Sequence, residues 1–141
     1  MLIAGRVADQ RGRGIEGAVV IAYNADAHGL YNPPDSPTRV PRIRATVSTD
    51  ADGRFQVLTV RPAPYPDHSE PAHLHFEIHA AGFRRQYSTL WFDGDPLITD
   101  ARRNAAEQHF AEHPEDATAI VRTESLAGLD LVRHTIELET D

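Results

Sequence analysis

His73-Leu74-His75 sets two imidazoles two residues apart, in a stretch, His73–His79, that alternates strictly between polar and apolar side chains. On a strand, residues i and i+2 share a face, so both rings can reach one metal ion. On a helix they would diverge by about 200°. The same pair also suits a merely solvated face, so further donors must decide. Two tyrosines are candidates. Tyr65 sits between Pro64 and Pro66, in a segment that fixed φ angles hold extended. Tyr31 lies in the loop Gly29-Leu30-Tyr31-Asn32-Pro33. Each phenol is either a packed ring with a bonded hydroxyl or an oxygen donor presented to a site. A further motif, His109-Phe110-Ala111-Glu112-His113, has the H-x-x-E-H spacing of inverted zinc proteases. Pro114 ends that helix at once, in a chain too small and too β-rich for a protease of that kind, so it reads as the polar side of a surface helix.

Composition narrows the chemistry. The chain has 141 residues, enough for one domain with a real core. It has no cysteine, which removes disulfides, thiolate nucleophiles and thiolate metal sites. All 14 basic residues are arginine, so neither a Schiff-base lysine nor a P-loop lysine is available. The formal net charge of −7 argues against non-specific nucleic-acid binding. No apolar run approaches the length of a membrane span, and no targeting segment is visible, so a cytoplasmic protein is expected. Eight histidines are many for this length, and imidazole is the commonest metal ligand.

The elements that must position these groups are short strands. Leu2–Ala8, Gly17–Tyr23, Arg42–Thr49, Arg54–Val60, His73–His79, Gln86–Phe92 and Arg133–Glu139 read as strands separated by turn residues. Asp50-Ala51-Asp52-Gly53 is a hairpin signal that makes Arg54–Val60 the expected partner of Arg42–Thr49. Asn24–Thr38 is rich in Asn, Asp, Gly and Pro and reads as a long loop. Asp100–Glu112 is the one convincing helix, capped by Thr99 or Asp100 and stopped by Pro114. The expected fold is all-β, an antiparallel β-sandwich with one short helix near the C-terminus, in a single domain.

Taken in order, these motifs resemble the intradiol ring-cleavage dioxygenases, the family of protocatechuate and catechol dioxygenases. Gly5-Arg6-Val7 through Asp9 and Gly12, then Ala18 to Tyr31, resemble the opening strands and the loop ending in the first ligand tyrosine. Thr49–Phe55 resembles the family's hairpin, and Arg61–Pro66 the segment with its second ligand tyrosine. Pro71-Ala72-His73-Leu74-His75-Phe76 resembles the two-histidine strand, and Phe92-Asp93-Gly94-Asp95 the strand end that follows. The resemblance implies a non-haem Fe(III) ion held by Tyr31, Tyr65, His73 and His75. Hard phenolate oxygens suit a hard trivalent ion, and two of them favour Fe(III) over Fe(II). It also implies that a catechol and O2 are the substrates. The catechol displaces Tyr65, whose released phenolate takes a substrate proton, and the ring opens between its two hydroxylated carbons to a cis,cis-muconate-type diacid.

Three positions depart from the family pattern. Glu70 stands where an arginine usually precedes the Pro-Ala-His run, Thr89 where a glutamine is common, and Asp67 where a tryptophan often follows Tyr-Pro. Another cation is expected to replace the arginine: Arg42 or Arg44, read as sharing one strand face, with Arg84 and Arg85 behind them. Alternatively, Glu70 binds an amine on a nitrogen-bearing catechol, or the chain binds iron but has altered or lost ring cleavage. The opening pattern Gly5-x-Val7 with Gly17-Ala18-x-Val20 also occurs in non-catalytic transthyretin-like binding sandwiches, because it reports only strand–turn–strand geometry. Family members often carry an N-terminal helical segment used in dimerisation. Here Met1 stands almost at the first strand, so the pocket is expected to be built by this domain alone or completed in a homo-oligomer.

Overall fold

A computed structural model describes all 141 residues. The strands are β1 (Leu2–Asp9), β2 (Val19–Asn24), β3 (Arg44–Ser48), β4 (Arg54–Leu58), β5 (His73–His79) and β6 (Gln86–Phe92). After helix α1 (Asp100–Glu112) come β7 (Asp116–Val121), β8 (Glu124–Leu126) and β9 (Leu129–Leu138). They form two sheets, ordered β4-β1-β9-β8 and β3-β2-β5-β6-β7. The core lies between them. Period-2 alternation turns Leu74, Phe76 and Ile78 of β5 inward, to meet Ile3, Val7, Phe55, Val132 and Ile136 of the other sheet. Gly5 carries no side chain because the ring of Phe55, its cross-strand partner, occupies the place a Cβ would take, 2.0 Å from Phe55 Cζ.

The all-β sandwich expected from the strand pattern is what the chain forms, and the helix has the expected limits. Thr99 caps it, its hydroxyl accepting from the Arg102 N–H at 3.3 Å. Most pairings are antiparallel, but β1–β9 and β6–β7 are parallel. The Asp50–Gly53 turn does not close a paired hairpin. Its local bonds form, yet β3 pairs with β2 in one sheet and β4 with β1 in the other. The turn therefore arches between layers, because Phe55 and Val57 on β4 must face the core from the opposite side. Arg133–Glu139 belongs to β9, which lies inside its sheet, between β1 and β8. No helix is long and apolar enough to cross a membrane.

Candidate metal centre

The outward face of the five-stranded sheet carries the chemistry. β5 is its central strand, and the residues opposite Leu74, Phe76 and Ile78 are His73, His75, Glu77 and His79. The register aligns Arg44, Tyr23, His75, Thr89 and Thr118 in one row across β3-β2-β5-β6-β7. A neighbouring row aligns His73, Trp91 and Ile120.

Both histidines use Nδ1 for orientation. His73 Nδ1 donates to the Pro71 carbonyl at 2.7 Å, and His75 Nδ1 bonds the Thr89 hydroxyl at 3.0 Å. The carbonyl can only accept, so it leaves the lone pair of His73 on Nε2, while the Thr89 hydroxyl fixes the orientation of the His75 ring. The ring centroids lie 4.7 Å apart. The Tyr31 hydroxyl donates to His73 Nε2 at 3.1 Å, and the Tyr65 hydroxyl donates to Tyr31 at 3.3 Å. Two phenol oxygens and the His73 nitrogen, from three separate segments, thus form one hydrogen-bonded chain, with the His75 ring beside it. Burial, aided by the bond from Tyr65, pushes the Tyr31 phenol well above its ordinary value, so it is protonated when no cation faces it. Burial, with neighbouring His73, holds His75 down at about 4, so its imidazole is neutral near pH 7. A neutral imidazole at His75 and displaceable phenol protons suit a cation-binding donor set, and the mix of hard oxygen with borderline nitrogen suits a hard trivalent ion.

The two tyrosine loops are fastened by Asp26. Its carboxylate accepts the N–H groups of His28 at 2.8 Å and Leu30 at 3.0 Å, and pairs with Arg42. Its carbonyl accepts from Gly29 and from Ala63, both at 3.0 Å, tying the Tyr31 loop to the Tyr65 segment. These bonds, the Leu30 N–H foremost, hold the Asp26 carboxyl below its ordinary value. Gly29 has φ +77°, and a Cβ there would stand 2.0 Å from the Pro64 carbonyl oxygen, so only glycine lets the loops approach. On the far side, the Asp95 carboxylate accepts the Ala72 N–H at 2.8 Å and sets the start of β5.

The arginines fall out differently from the sequence reading. Arg42 and Arg44 do not share a strand face, because β3 begins only at Arg44. Arg42 turns back on the loop, its N–H donating to the Tyr31 carbonyl at 3.2 Å and its side chain pairing with Asp26. Arg44 projects from the outward face in the His75 row and makes no side-chain hydrogen bond or ion pair. Arg85 is held by Glu77, and Arg84 lies 3.7 Å from Glu139. Glu70 already has a cation: Arg102 of α1 lies 3.3 Å from its carboxylate and also bonds the Ser69 carbonyl at 2.5 Å. Tyr23 is a further group at the site. Its ring lies 5.0 Å from that of His75 and 6.4 Å from that of Tyr31, and burial raises its phenol. The apolar run Gly17–Tyr23 reads as a strand without marking Tyr23, and only the pairing of β2 with β5 brings it beside His75. His109 and His113 bond Asp116 at 3.0 Å and Glu115 at 3.5 Å, as expected of a polar helix surface.

Comparison with known proteins places the fold and the family. The family model described as "Dioxygenase" matches residues 1–132. The chain is 32% identical over 109 residues to a protocatechuate 3,4-dioxygenase beta chain of Burkholderia cepacia, covering 70% of this chain and 46% of that one. It is 28% identical over 116 residues to catechol 1,2-dioxygenase 2 of Acinetobacter lwoffii, covering 71% of this chain and 42% of that one. The chain thus matches less than half the length of these curated relatives. Among solved structures, catechol 1,2-dioxygenase from Pseudomonas arvilla C-1 superposes with a TM-score of 0.75 at 23% identity, over 99% of this chain and 52% of that one. The 3-chlorocatechol 1,2-dioxygenase from Rhodococcus opacus 1CP gives 0.73 at 21%, over 99% and 60%. Matched by this family model over residues 1–132 and, over 70% of its own length, by a relative 32% identical, the chain belongs to the intradiol ring-cleavage dioxygenases.

Proposed function

We propose that the protein binds one Fe(III) through Tyr31, Tyr65, His73 and His75 and cleaves a catechol-type ring with O2 between its two hydroxylated carbons, giving a cis,cis-muconate-type diacid. The observation that carries the reading is the hydrogen-bonded chain Tyr65–Tyr31–His73, with His75 beside it and the Nδ1 atoms of both histidines bonded away. When bound, the ferric ion supplies Lewis acidity that holds both catechol oxygens and makes the ring electron-rich toward O2.

The chain's own residues do the rest. Tyr65 is the outer phenol of the pair, on the proline-stiffened segment, and it is the group that leaves and accepts a proton from a catechol hydroxyl. Tyr31 is held from behind by the Asp26 loop and stays in place. The Pro71 carbonyl holds the tautomer of His73, and the Thr89 hydroxyl holds the orientation of His75. Tyr23, next to His75, gives the ring a flat apolar wall. Arg44, free on the same face, favours approach of an anionic substrate. Arg42 acts through the Asp26 loop and not on substrate.

Oxygen uptake across a panel of catechols, with product identified by mass, tests the reading. One O2 consumed per catechol, with both atoms found in an acyclic diacid, is expected. Retained iron with no uptake on any catechol would instead mean a metal-binding relative that does not cleave rings.

A further inference from the structure

The sandwich is open along one side, and polar residues stand where its core ends. β7 is the last strand of the five-stranded sheet, and β8 covers β9 only as far as Leu131, so the edges of β7 and of β9 beyond that residue have no strand beside them. Between these edges lies a cavity of about 230 Å³. Period-2 alternation turns Gln86 and Ser88 of β6 and His134 of β9 inward to line it, on the side of β6 opposite Thr89 and the metal donors. Gln86 and Ser88 are 6% and 2% exposed, so they are not the solvated polar groups of a sandwich surface. The side chains of Ser88 and His134 have only each other, Oγ to Nε2 at 3.5 Å, the outer limit of a hydrogen bond, whereas buried polar groups are as a rule better satisfied. Gln86 Nε2 donates to the Tyr87 and Pro114 carbonyls at 3.0 and 3.2 Å, which leaves Oε1 as its free end. Burial holds the His134 imidazole below its ordinary value, so it is neutral near pH 7 and offers a lone pair.

We infer that this cavity is a second binding site, separate from the metal centre, for a small organic ammonium ion: a primary amine on a short apolar body. The wall offers three acceptors, Ser88 Oγ, a His134 nitrogen and Gln86 Oε1, and an ammonium brings three N–H donors. No arginine lines the cavity, while the exposed Glu137 and Glu139 stand at its mouth. Arg84 lies 3.7 Å from Glu139, but Glu137 has no ion-pair partner, so its carboxylate is left to offset the charge of the ligand. An anion would meet both carboxylates and no cation on the wall. Ala117, Ala119 and Ile136 take the apolar body out of water. The volume lies below the roughly 300–1,000 Å³ of drug-sized sites, which limits the ligand to a single small ring or a short chain. The inference does not depend on ring cleavage.

Calorimetric titration of the full chain with benzylamine, with and without Fe(III), tests the inference. One saturable site of equal strength in both samples is expected, with benzyl alcohol bound about tenfold or more weakly and phenylacetate not bound. Ser88→Ala removes one acceptor and should weaken benzylamine by about tenfold or more. Glu137→Gln should weaken it severalfold, and added salt should act in the same direction. Glu137 is exposed, so its variant keeps the fold and the test stays decisive even if Ser88→Ala does not fold. No saturable binding, equal affinity for benzyl alcohol, or an affinity that folded Ser88→Ala or Glu137→Gln leaves unmoved overturns the inference. Binding seen only with Fe(III) would place the amine at the metal centre and overturn it as well.

Discussion

The histidine half and the tyrosine half of the metal centre are held by different physics. His73 and His75 ride on β5, the central strand of its sheet, with ladder bonds to β2 and β6 on either side and Leu74, Phe76 and Ile78 anchored in the core. Their spacing follows from strand pleat alone. Tyr31 and Tyr65 sit on irregular segments with no ladder, and their convergence depends on a handful of contacts gathered at Asp26 and Gly29. The lesson is that one half is robust to local change while the other fails piecemeal. Changes to β5 should remove metal without loosening the loops, and changes to the fasteners should loosen the loops while leaving β5 intact.

The largest effect is expected from His73→Ala or His75→Ala. Either should abolish iron retention, a loss of about 100-fold or more in affinity by metal competition, with the sheet signature in circular dichroism unchanged. Thr89→Val removes the bond to His75 Nδ1 without changing side-chain size, and should weaken iron by about 10–100-fold. Gly29→Ala forces a Cβ against the Pro64 carbonyl at a positive φ, and should cost about 1–3 kcal/mol in denaturant unfolding while both tyrosines withdraw from the metal. Asp26→Ala orphans the N–H groups of His28 and Leu30 and should cost a similar about 1–3 kcal/mol. Arg42→Ala, whose guanidinium is half exposed, should cost about 1 kcal/mol or less.

A pH series sharpens the loop side. The Asp26 carboxyl lies below its ordinary 3.8 in the folded chain, so the folded state binds fewer protons than the unfolded one as pH falls past that value. Its contribution is complete above pH 3.8 and is lost as pH drops through the lower folded value. The Tm gap between wild type and Asp26→Ala should therefore be constant from neutral pH to about 4 and close below it.

The contrast also explains what was legible from residues alone. β5, β6 and α1 are bounded where their patterns put them, because alternation and helix punctuation are local signals. The His-x-His geometry follows for the same reason. β7 and β8 carry no local signal, because Asp116–Ile120 is half-buried residue after residue and Glu124–Leu126 is exposed, so neither alternates. The Asp50–Gly53 turn has hairpin chemistry, but which sheet each strand joins is decided by distant partners, β1 and β2. The arginines depart from expectation on the same ground. A β3 that starts at Arg42 gives that residue a strand face, whereas the nearby Asp26 carboxylate takes it for the loop. Arg102 reaches Glu70 across more than thirty residues of chain, which no local spacing reveals.

The most direct test is iron analysis and a visible absorption spectrum of the iron-loaded protein beside Tyr31→Phe and Tyr65→Phe. The expected result is one iron per chain with a broad phenolate-to-iron charge-transfer band, shifted or weakened by each substitution and shifted further by added catechol. A colourless protein that takes up no Fe(III), or a band that both phenylalanine variants leave unchanged, would contradict the four-donor centre.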